Sequence, residues 1–186
     1  RGSIQKGLDA ALLGDVLHLS PGIYTERVVF TKGGAYGRPV TMEGADGAIL
    51  DASTPFAADW HPMPDVGPDV YGTPVPFEVG QVVADGKMVV LLDERRISAA
   101  KDGELPPWLD IFRNGVQKRW DGVGGVALYR HQEKDLLVKF GDGRDPRKMS
   151  IECAPMGPDG VGVLIDGADR CVVRNIGLRN ARLGIL

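Results

Sequence analysis

The sequence has few cysteines, no long apolar run and no excess of basic charge. Its two cysteines, Cys153 and Cys171, leave open either a disulfide or two unpaired buried thiols, and they do not fix a redox compartment. No apolar run approaches the ~18 residues that a membrane-spanning helix needs, so we expect no membrane partner. A formal net charge of -3 gives no reason to expect nucleic acid. An acidic polysaccharide stays open as a partner, because it would need only a local basic patch.

The two ends of the chain carry separate expectations. The chain opens at Arg1-Gly2-Ser3 without a signal peptide, so the protein is either cytoplasmic or has lost a signal. Residues 182–186 have the pattern of a strand interior. A solenoid that stopped there would expose an unpaired strand edge, so we expect the natural polypeptide to continue past Leu186.

Turn residues are abundant, with 26 glycines and 13 prolines, while 43% of the residues are hydrophobic. This composition predicts many short strands around a core. Before the first strand, Ser3 is a good N-cap, and apolar residues recur at helical spacing up to Leu12. Gly14 supplies a stop signal. We therefore predict a short amphipathic helix over residues 4–13.

Four short apolar runs follow, at residues 16–19, 27–30, 39–43 and 48–51, and a turn signal ends each of the first three. Leu17 and Val40 are 40 − 17 = 23 residues apart, and Val28 and Ile49 are 49 − 28 = 21 apart. Such spacing is close to one coil of a β-solenoid. A hairpin meander would give the same strand count, but an amphipathic helix is a common cover for the first open coil, which favours the solenoid.

The regular spacing of the apolar runs is lost between residues 54 and 148, where all three tryptophans lie. Three hairpins are predicted there: residues 81–84 with 88–92, 110–113 with 116–119, and 126–130 with 136–140. Apolar segments separated by turns resume with residues 149–154, and Cys153 and Cys171 could then be neighbours in a stack of coils. The predicted organisation is 1–53 for the cap and first coils, 54–148 for an inserted β-rich module and 149–186 for continuing coils.

Several of these segments resemble the pectate-lyase-like right-handed parallel β-helix superfamily. The similarity is carried by the following segments: Ser3-Ile4-Gln5, Leu8-Asp9-Ala10-Ala11, Gly14-Asp15-Val16-Leu17-His18-Leu19, Pro21-Gly22-Ile23-Tyr24, Gly37-Arg38-Pro39-Val40-Thr41 and Ala45-Asp46-Gly47-Ala48. Residues 172–180 are similar to a later coil of the same architecture. The pattern looks most like the branch with alginate lyases and chondroitinase-B-type lyases.

The resemblance covers about residues 3–53 and 149–186 and implies a right-handed parallel β-helix with an N-terminal capping helix. With the insertion inferred above, the predicted fold is all-β, a right-handed parallel β-helix with an N-terminal capping helix and an inserted β-rich module. It also implies secreted, bacterial carbohydrate processing, often with a calcium ion held by carboxylates. Lyases of this superfamily act from later coils through a Lys/Arg pair, so no catalytic residue is carried over to this chain.

The best polar cluster in the sequence comprises Arg174, Arg179, Arg182 and Asn180. Arginines on an exposed strand face bind sugar carboxylates through bidentate contacts, although a solvated outer face would have the same composition. Trp60 is a candidate for stacking on a sugar ring or, alternatively, for the core of the inserted module.

The remaining candidates are weaker. Asp46, Asp51, Asp166 and Asp169 are candidates either for calcium ligands or an acid/base pair, or for turn formers. His18 alternates with two leucines, so we expect it to face outward from its strand without a catalytic partner.

The function that we expect is extracellular or periplasmic processing of a polysaccharide, by β-elimination or by glycoside hydrolysis. The competing class is a non-catalytic β-helix, such as a surface adhesin, phage-tail or glycan-binding module. A row of acid, base and cation residues on one outward face would favour the enzyme, and repeated small polar residues would favour the scaffold. A third alternative is an antiparallel β-sandwich.

Overall fold

The computed structural model describes residues 3–97, 104, 106–115 and 124–186, and these are mostly β-strands. The chain divides into two compact units. The first unit comprises the chain up to Thr54 together with Gly157–Leu186, and the second is Pro55–Met156. No helix in the described part is long and apolar enough to cross a membrane.

The first unit contains three parallel sheets of three strands each. Sheet A has the order β1 (Val16–Leu19), β4 (Val40–Gly44) and β14 (Cys171–Arg174). Sheet B has the order β2 (Gly22–Tyr24), β5 (Ala48–Asp51) and β15 (Gly177–Arg179). Sheet C has the order β3 (Val28–Phe30), β13 (Val161–Ile165) and β16 (Leu183–Ile185).

Each pass of the chain therefore adds one strand to sheet A, then to B, then to C. The parallel pairing excludes a hairpin meander or an antiparallel sandwich for this unit. Leu17 pairs with Met42, which confirms the stacking of the first run on the third. The expected stacking of Val28 on Ile49 is wrong, because Val28 pairs with Val163 and Ile49 pairs with Ile23.

The stacking of Val28 was predicted wrongly because the second pass of the chain through the three sheets is interrupted. Its third strand, β13, follows the inserted unit, so the spacing between stacked strands of sheet C is hidden in the sequence. The strand that was missed, β2, begins at Gly22 in a turn dipeptide and has only three residues. The core of the unit lies between the three sheets. Its fully buried side chains include Val28, Phe30, Met42, Leu50 and Val163.

Helix α1 (Ile4–Ala10) buries Ile4 and Leu8 against this core. It ends three residues before the predicted limit, since Ala11 is extended, and Leu12 is 73% exposed. Ser3 does not cap the helix with its side chain. The Glu26 carboxylate replaces it, accepting hydrogen bonds from the backbone N–H groups of Ile4 (3.1 Å) and Gln5 (3.3 Å).

Helix α1 also covers one edge of sheet C, through the side chain of Gln5. Its side-chain amide donates to the Val29 carbonyl (2.9 Å) and accepts from the Val29 N–H (2.8 Å). Val29 belongs to β3, which is an edge strand of sheet C. Gln5 therefore occupies backbone groups of the edge strand that could otherwise pair with a strand of another molecule.

The second unit is built on one seven-stranded sheet with the order β12-β8-β9-β10-β11-β7-β6. Only β9 and β10 are parallel among these pairs. The strands are β6 (His61–Pro62), β7 (Val70–Pro74), β8 (Val79–Ala84), β9 (Lys87–Asp93), β10 (Val126–Arg130), β11 (Asp135–Lys139) and β12 (Ile151–Pro155). Successive residues of β11, Leu136 and Leu137, enter two different core clusters, so both faces of the sheet are covered.

Two of the predicted hairpins are confirmed. Strands β8 and β9 pair around Asp85 and Gly86, whose φ angles of 48° and 73° fit the tight turn of a two-residue hairpin. Strands β10 and β11 form the other pair.

The hairpin predicted around Asn114-Gly115 is wrong in its first arm. Residues 107–115 are helical, with α3 (Pro107–Asp110) followed by a π-helical turn (Ile111–Gly115), and residues 116–119 lie outside the described part. Pro107 supplies a φ suited to a helix start, and Phe112 is completely buried. Another short helix, α2 (Glu94–Ile97), follows β9.

The predicted limit between module and coils is displaced. Residues 149–154 do not continue the coils, because β12 pairs antiparallel with β8 in the second unit. Coil strands resume at β13, after a 3-10 turn over Gly157–Gly160. Cys153 consequently belongs to the second unit and Cys171 to the first, so they are not stacked neighbours, and both are free.

Candidate functional site

A column of three polar side chains crosses the outer face of sheet A. His18, Glu43 and Arg174 occupy aligned positions in β1, β4 and β14. Inward neighbours alternate with them: Met42 precedes Glu43 and is completely buried. We call these three side chains the polar column.

Two contacts connect the side chains of the polar column, and the contact between Arg174 and Glu43 is charge-assisted. The Arg174 guanidinium meets the Glu43 carboxylate through Nε to Oε1 (3.0 Å) and Nη2 to Oε2 (3.1 Å). His18 Nδ1 lies 3.5 Å from Glu43 Oε2. The side chain of Glu43 is 21% exposed, against 55% for Arg174 and 73% for His18. The Glu43 carboxylate therefore lies fixed between a guanidinium and an imidazole that solvent or a ligand can reach.

Next to the polar column, the turns from sheet A to sheet B form an open groove of about 650 Å³. Its walls come from the turn after β4, including Asp46, and from the turn after β14, including Asn175. The Asn175 amide also approaches Glu43 Oε1 (3.4 Å), so a residue of the groove wall contacts the polar column. The turns stack tightly: a Cβ on Gly44 would lie 2.4 Å from the Asn175 carbonyl oxygen. We call this feature the corner groove.

A second ion pair lies at the end of sheet B. Asp51 is 3% exposed and accepts hydrogen bonds from Arg179 (2.8 Å), Asn180 (3.1 Å) and the Ser53 N–H (3.0 Å). Burial of the carboxylate opposes its ionisation, yet the hydrogen bonds from Ser53, Arg179 and Asn180 outweigh it and lower the pKa of Asp51. Asn180 has a φ of 51°, a conformation that asparagine tolerates in turns.

The arginines of the predicted cluster are spread round the coil. Arg174 ends the strand in sheet A, Arg179 ends the strand in sheet B, and Arg182 is exposed just before the strand in sheet C. Asn180 is buried against Asp51. Binding of sugar by these residues stays a prediction. Among them, Arg174 directly precedes Asn175, which lines the corner groove.

Trp60 lies in the second unit, away from the residues with which it was grouped. It is 8% exposed and packs into the core cluster that also contains Val82 and Val138. Its burial favours the core alternative, and contact with a sugar ring stays a prediction.

Glu43, the central group of the polar column, was not among the predicted site residues, because it closes an apolar run and precedes a glycine turn. The signal that could have found it is its alternation with the inward Met42. His18 does face outward, as expected, but it has Glu43 as a partner.

The four candidate aspartates do not form one site. Asp51 is paired with Arg179, Asp46 lines the corner groove, and the Asp169 carbonyl receives the Gly34 N–H (2.9 Å) in a turn. Within the described ranges, no three His, Cys, Asp or Glu side chains converge closely enough to hold a metal ion.

Comparison with known proteins gives a relationship at the level of fold. No protein-family profile and no curated protein sequence matches the chain. Among solved structures, the chain is similar to XylC in its complex with xylose, with a TM-score of 0.65 and 14% sequence identity. The similarity covers 97% of this chain and 32% of the XylC chain, so this chain spans about a third of that protein's length. It supports a β-helix relationship and does not single out the lyase branch.

Proposed function

We propose that the chain is part of a right-handed parallel β-helix protein that binds and processes a neutral glycan along sheet A. The observation that carries the proposal is the polar column, in which a carboxylate, an imidazole and a guanidinium are aligned on one outward face. A scaffold would need only small polar residues there.

The pairing of charges favours a neutral substrate. Arg174 is matched by Glu43 and Arg179 by Asp51, so two of the three predicted arginines have a carboxylate partner within the chain. A sugar carboxylate would have to displace these partners. Hydroxyl groups of a neutral sugar can instead donate to Glu43 and accept from Arg174 without breaking the pair.

The corner groove supplies room for the sugar. Asp46 and Asn175 add an acceptor and a donor on its walls, and Ile49 and Ile176 add apolar surface. XylC, which resembles this chain in fold, binds a neutral sugar, and this agrees with the same substrate class.

Hydrolysis is the reaction that fits a neutral glycan, because β-elimination requires a uronic acid whose carboxylate is neutralised by a cation. Hydrolysis by two carboxylates needs one on each side of the glycosidic bond. Glu43 is the carboxylate of the polar column, and its contact with Asn175 places it beside the groove wall. We assign it to contact with the substrate.

The test is depolymerisation of xylan, alginate and pectin by the protein, followed both by new reducing ends and by the absorbance of unsaturated uronates. We expect reducing ends from xylan without new absorbance, and loss of at least tenfold in rate in the variant Glu43→Gln. The control Glu133→Gln, an exposed carboxylate of the second unit, should retain the rate. Absorbance on alginate or pectin would show a lyase, and no product from any polymer would favour the scaffold.

A further inference from the structure

The second unit carries a groove that the proposed function does not use. Its volume is about 340 Å³, and it lies between the chain just before β6 and the chain that leads into β12. Pockets that bind small molecules have volumes of about 300–1,000 Å³, so the groove has room for a small ligand. We call it the tryptophan groove, and the argument for a ligand there uses its lining residues Asp59, Trp60, Arg147, Met149 and Ile151.

The apolar part of the tryptophan groove is continuous with the core of the second unit. Trp60 belongs to a core cluster and is 8% exposed, and the half-buried side chains of Met149 and Ile151 pack against that cluster. These three side chains are therefore held in place by the core while they line the groove. A ligand in the groove would meet a rigid apolar surface that includes an aromatic ring.

Asp59 adds a hydrogen-bond acceptor to the tryptophan groove. Its backbone is held on both sides, because its N–H donates to Thr73 Oγ1 (2.8 Å) and its carbonyl oxygen lies 3.1 Å from His61 Nδ1. The residue is exposed, and its carboxylate makes no hydrogen bond or ion pair with another residue of the described part of the chain. An unpaired acceptor thus stands on a fixed stretch of backbone.

Arg147 adds hydrogen-bond donors to the same groove. Its guanidinium donates to the Asp145 carboxylate through Nε (2.9 Å) and Nη2 (2.7 Å), and its central carbon lies 5.4 Å from the centre of the Tyr71 ring. A guanidinium has five N–H donors, so the contacts with Asp145 leave others for a ligand. Because Asp145 and Tyr71 fix its plane, little side-chain entropy is lost when a ligand uses the remaining donors.

We propose that the tryptophan groove is a second carbohydrate site, which takes one neutral sugar unit. Sugar hydroxyls both donate and accept, so they can donate to Asp59 and accept from Arg147, while the apolar side chains contact the C–H groups of the ring. An anionic sugar would meet the unpaired carboxylate of Asp59 and would compete with Asp145 for Arg147. The inference rests on the proposed function for the class of ligand, but it concerns residues of the other unit.

The experiment is an NMR titration of the isotope-labelled full chain with xylose, which reports the two sites separately. The chain has three tryptophans, and the indole N–H signal of Trp60 reports on the tryptophan groove. We expect saturable shift changes of this signal and of the backbone signals of Asp59 and Met149, in addition to changes at Glu43 and Asn175.

A matched pair of variants tests the role of the unpaired carboxylate. Asp59→Asn, which removes the charge and keeps the shape, should weaken the affinity at the tryptophan groove by about three- to tenfold and leave the affinity at Asn175 unchanged. The control Asp65→Asn changes an exposed aspartate of the same unit outside the groove and should alter neither affinity. Equal affinities at the groove in the two variants would contradict the role of Asp59.

The outcomes of the titration separate the two proposals. Changes at Glu43 and Asn175 without a change of the Trp60 signal would overturn the groove proposal and leave the proposed function intact. Changes at the tryptophan groove alone would support it and overturn the assignment of sheet A, and no change at either site would overturn both. Parallel titrations with glucuronate and with ethylammonium chloride test charged ligands: shifts at the groove with either of them and none with xylose would overturn the neutral-sugar proposal.

Discussion

At the scale of single residues, Asp51 shows how a buried carboxylate can stabilise the coils. It is nearly inaccessible, and it holds together the backbone after β5 and the turn after β15 through Ser53, Arg179 and Asn180. Removing one partner leaves a buried charge that is incompletely compensated, which costs more than the loss of an exposed ion pair.

We therefore predict that Arg179→Ala lowers the free energy of unfolding by about 1–2 kcal/mol, a reduced value because Arg179 is 42% exposed. The control Arg182→Ala removes an exposed arginine three positions along and should change stability by less than about 0.5 kcal/mol. Urea unfolding of both variants measures the difference. Equal losses would contradict the structural role of the Asp51 pair.

The pH dependence of stability gives a second test of Asp51. Because the pKa of Asp51 is lowered in the folded state, its ionised form stabilises the fold above the ordinary pKa of 3.8, and this stabilisation is lost as the pH falls through the lowered pKa. The variant Asp51→Asn should be less stable than the wild type at pH 7, and the gap should shrink as the pH falls below about 4. A gap independent of pH, measured by urea unfolding, would contradict this assignment.

The two thiols should differ in reactivity. Burial raises the pKa of Cys153 to about 12, whereas Cys171 is only half-buried, its pKa being raised by burial and by Asp169. Thiolates are the reactive species. In the native protein at pH 8, iodoacetamide should modify Cys171 first and leave Cys153 intact until the second unit unfolds. Peptide mass spectrometry gives the order, and prior modification of Cys153 would contradict the packing of the second unit.

At the scale of elements, helix α1 depends on a group distant in sequence. Glu26 caps its N-terminus, so Glu26→Ala should lower the free energy of unfolding by about 1 kcal/mol, the usual cost of a lost cap. The exposed helix residue Lys6 provides the control, and Lys6→Ala should change stability by less than about 0.5 kcal/mol. Thermal unfolding followed by circular dichroism compares them, and an unaffected Glu26→Ala would contradict capping by Glu26.

Elements with local causes could be predicted from the sequence. The β8–β9 hairpin follows from Asp85-Gly86, and the start of α1 follows from its apolar spacing. Features that depend on contacts between residues far apart in the sequence could not be predicted in this way. The partner of β3 lies beyond the inserted unit, and Pro107 with the buried Phe112 turns an expected strand into a helix.

The candidate site shows the same division. Arg174 and the outward direction of His18 could be read from composition and alternation. Their meeting at Glu43 requires the register between strands of different passes, which no local pattern specifies. Opposite charges on neighbouring strands stabilise that register, but only after the strands are aligned.

At the scale of the whole molecule, the chain joins two units with separate cores, and one of them carries the polar column and corner groove. The charges of the column are matched within the chain, so affinity for a glycan would come from hydroxyl contacts and depend little on salt. An acidic glycan would instead bind through unmatched arginines and weaken as the salt concentration rises.

Calorimetric titration with a xylo-oligosaccharide and with an oligo-uronate of equal length tests the central claim most directly. Our account predicts binding of the neutral oligosaccharide, an affinity reduced at least tenfold in Glu43→Gln, and little change between low and high salt. Tighter binding of the oligo-uronate, lost in Arg174→Ala and weakened by salt, would contradict it.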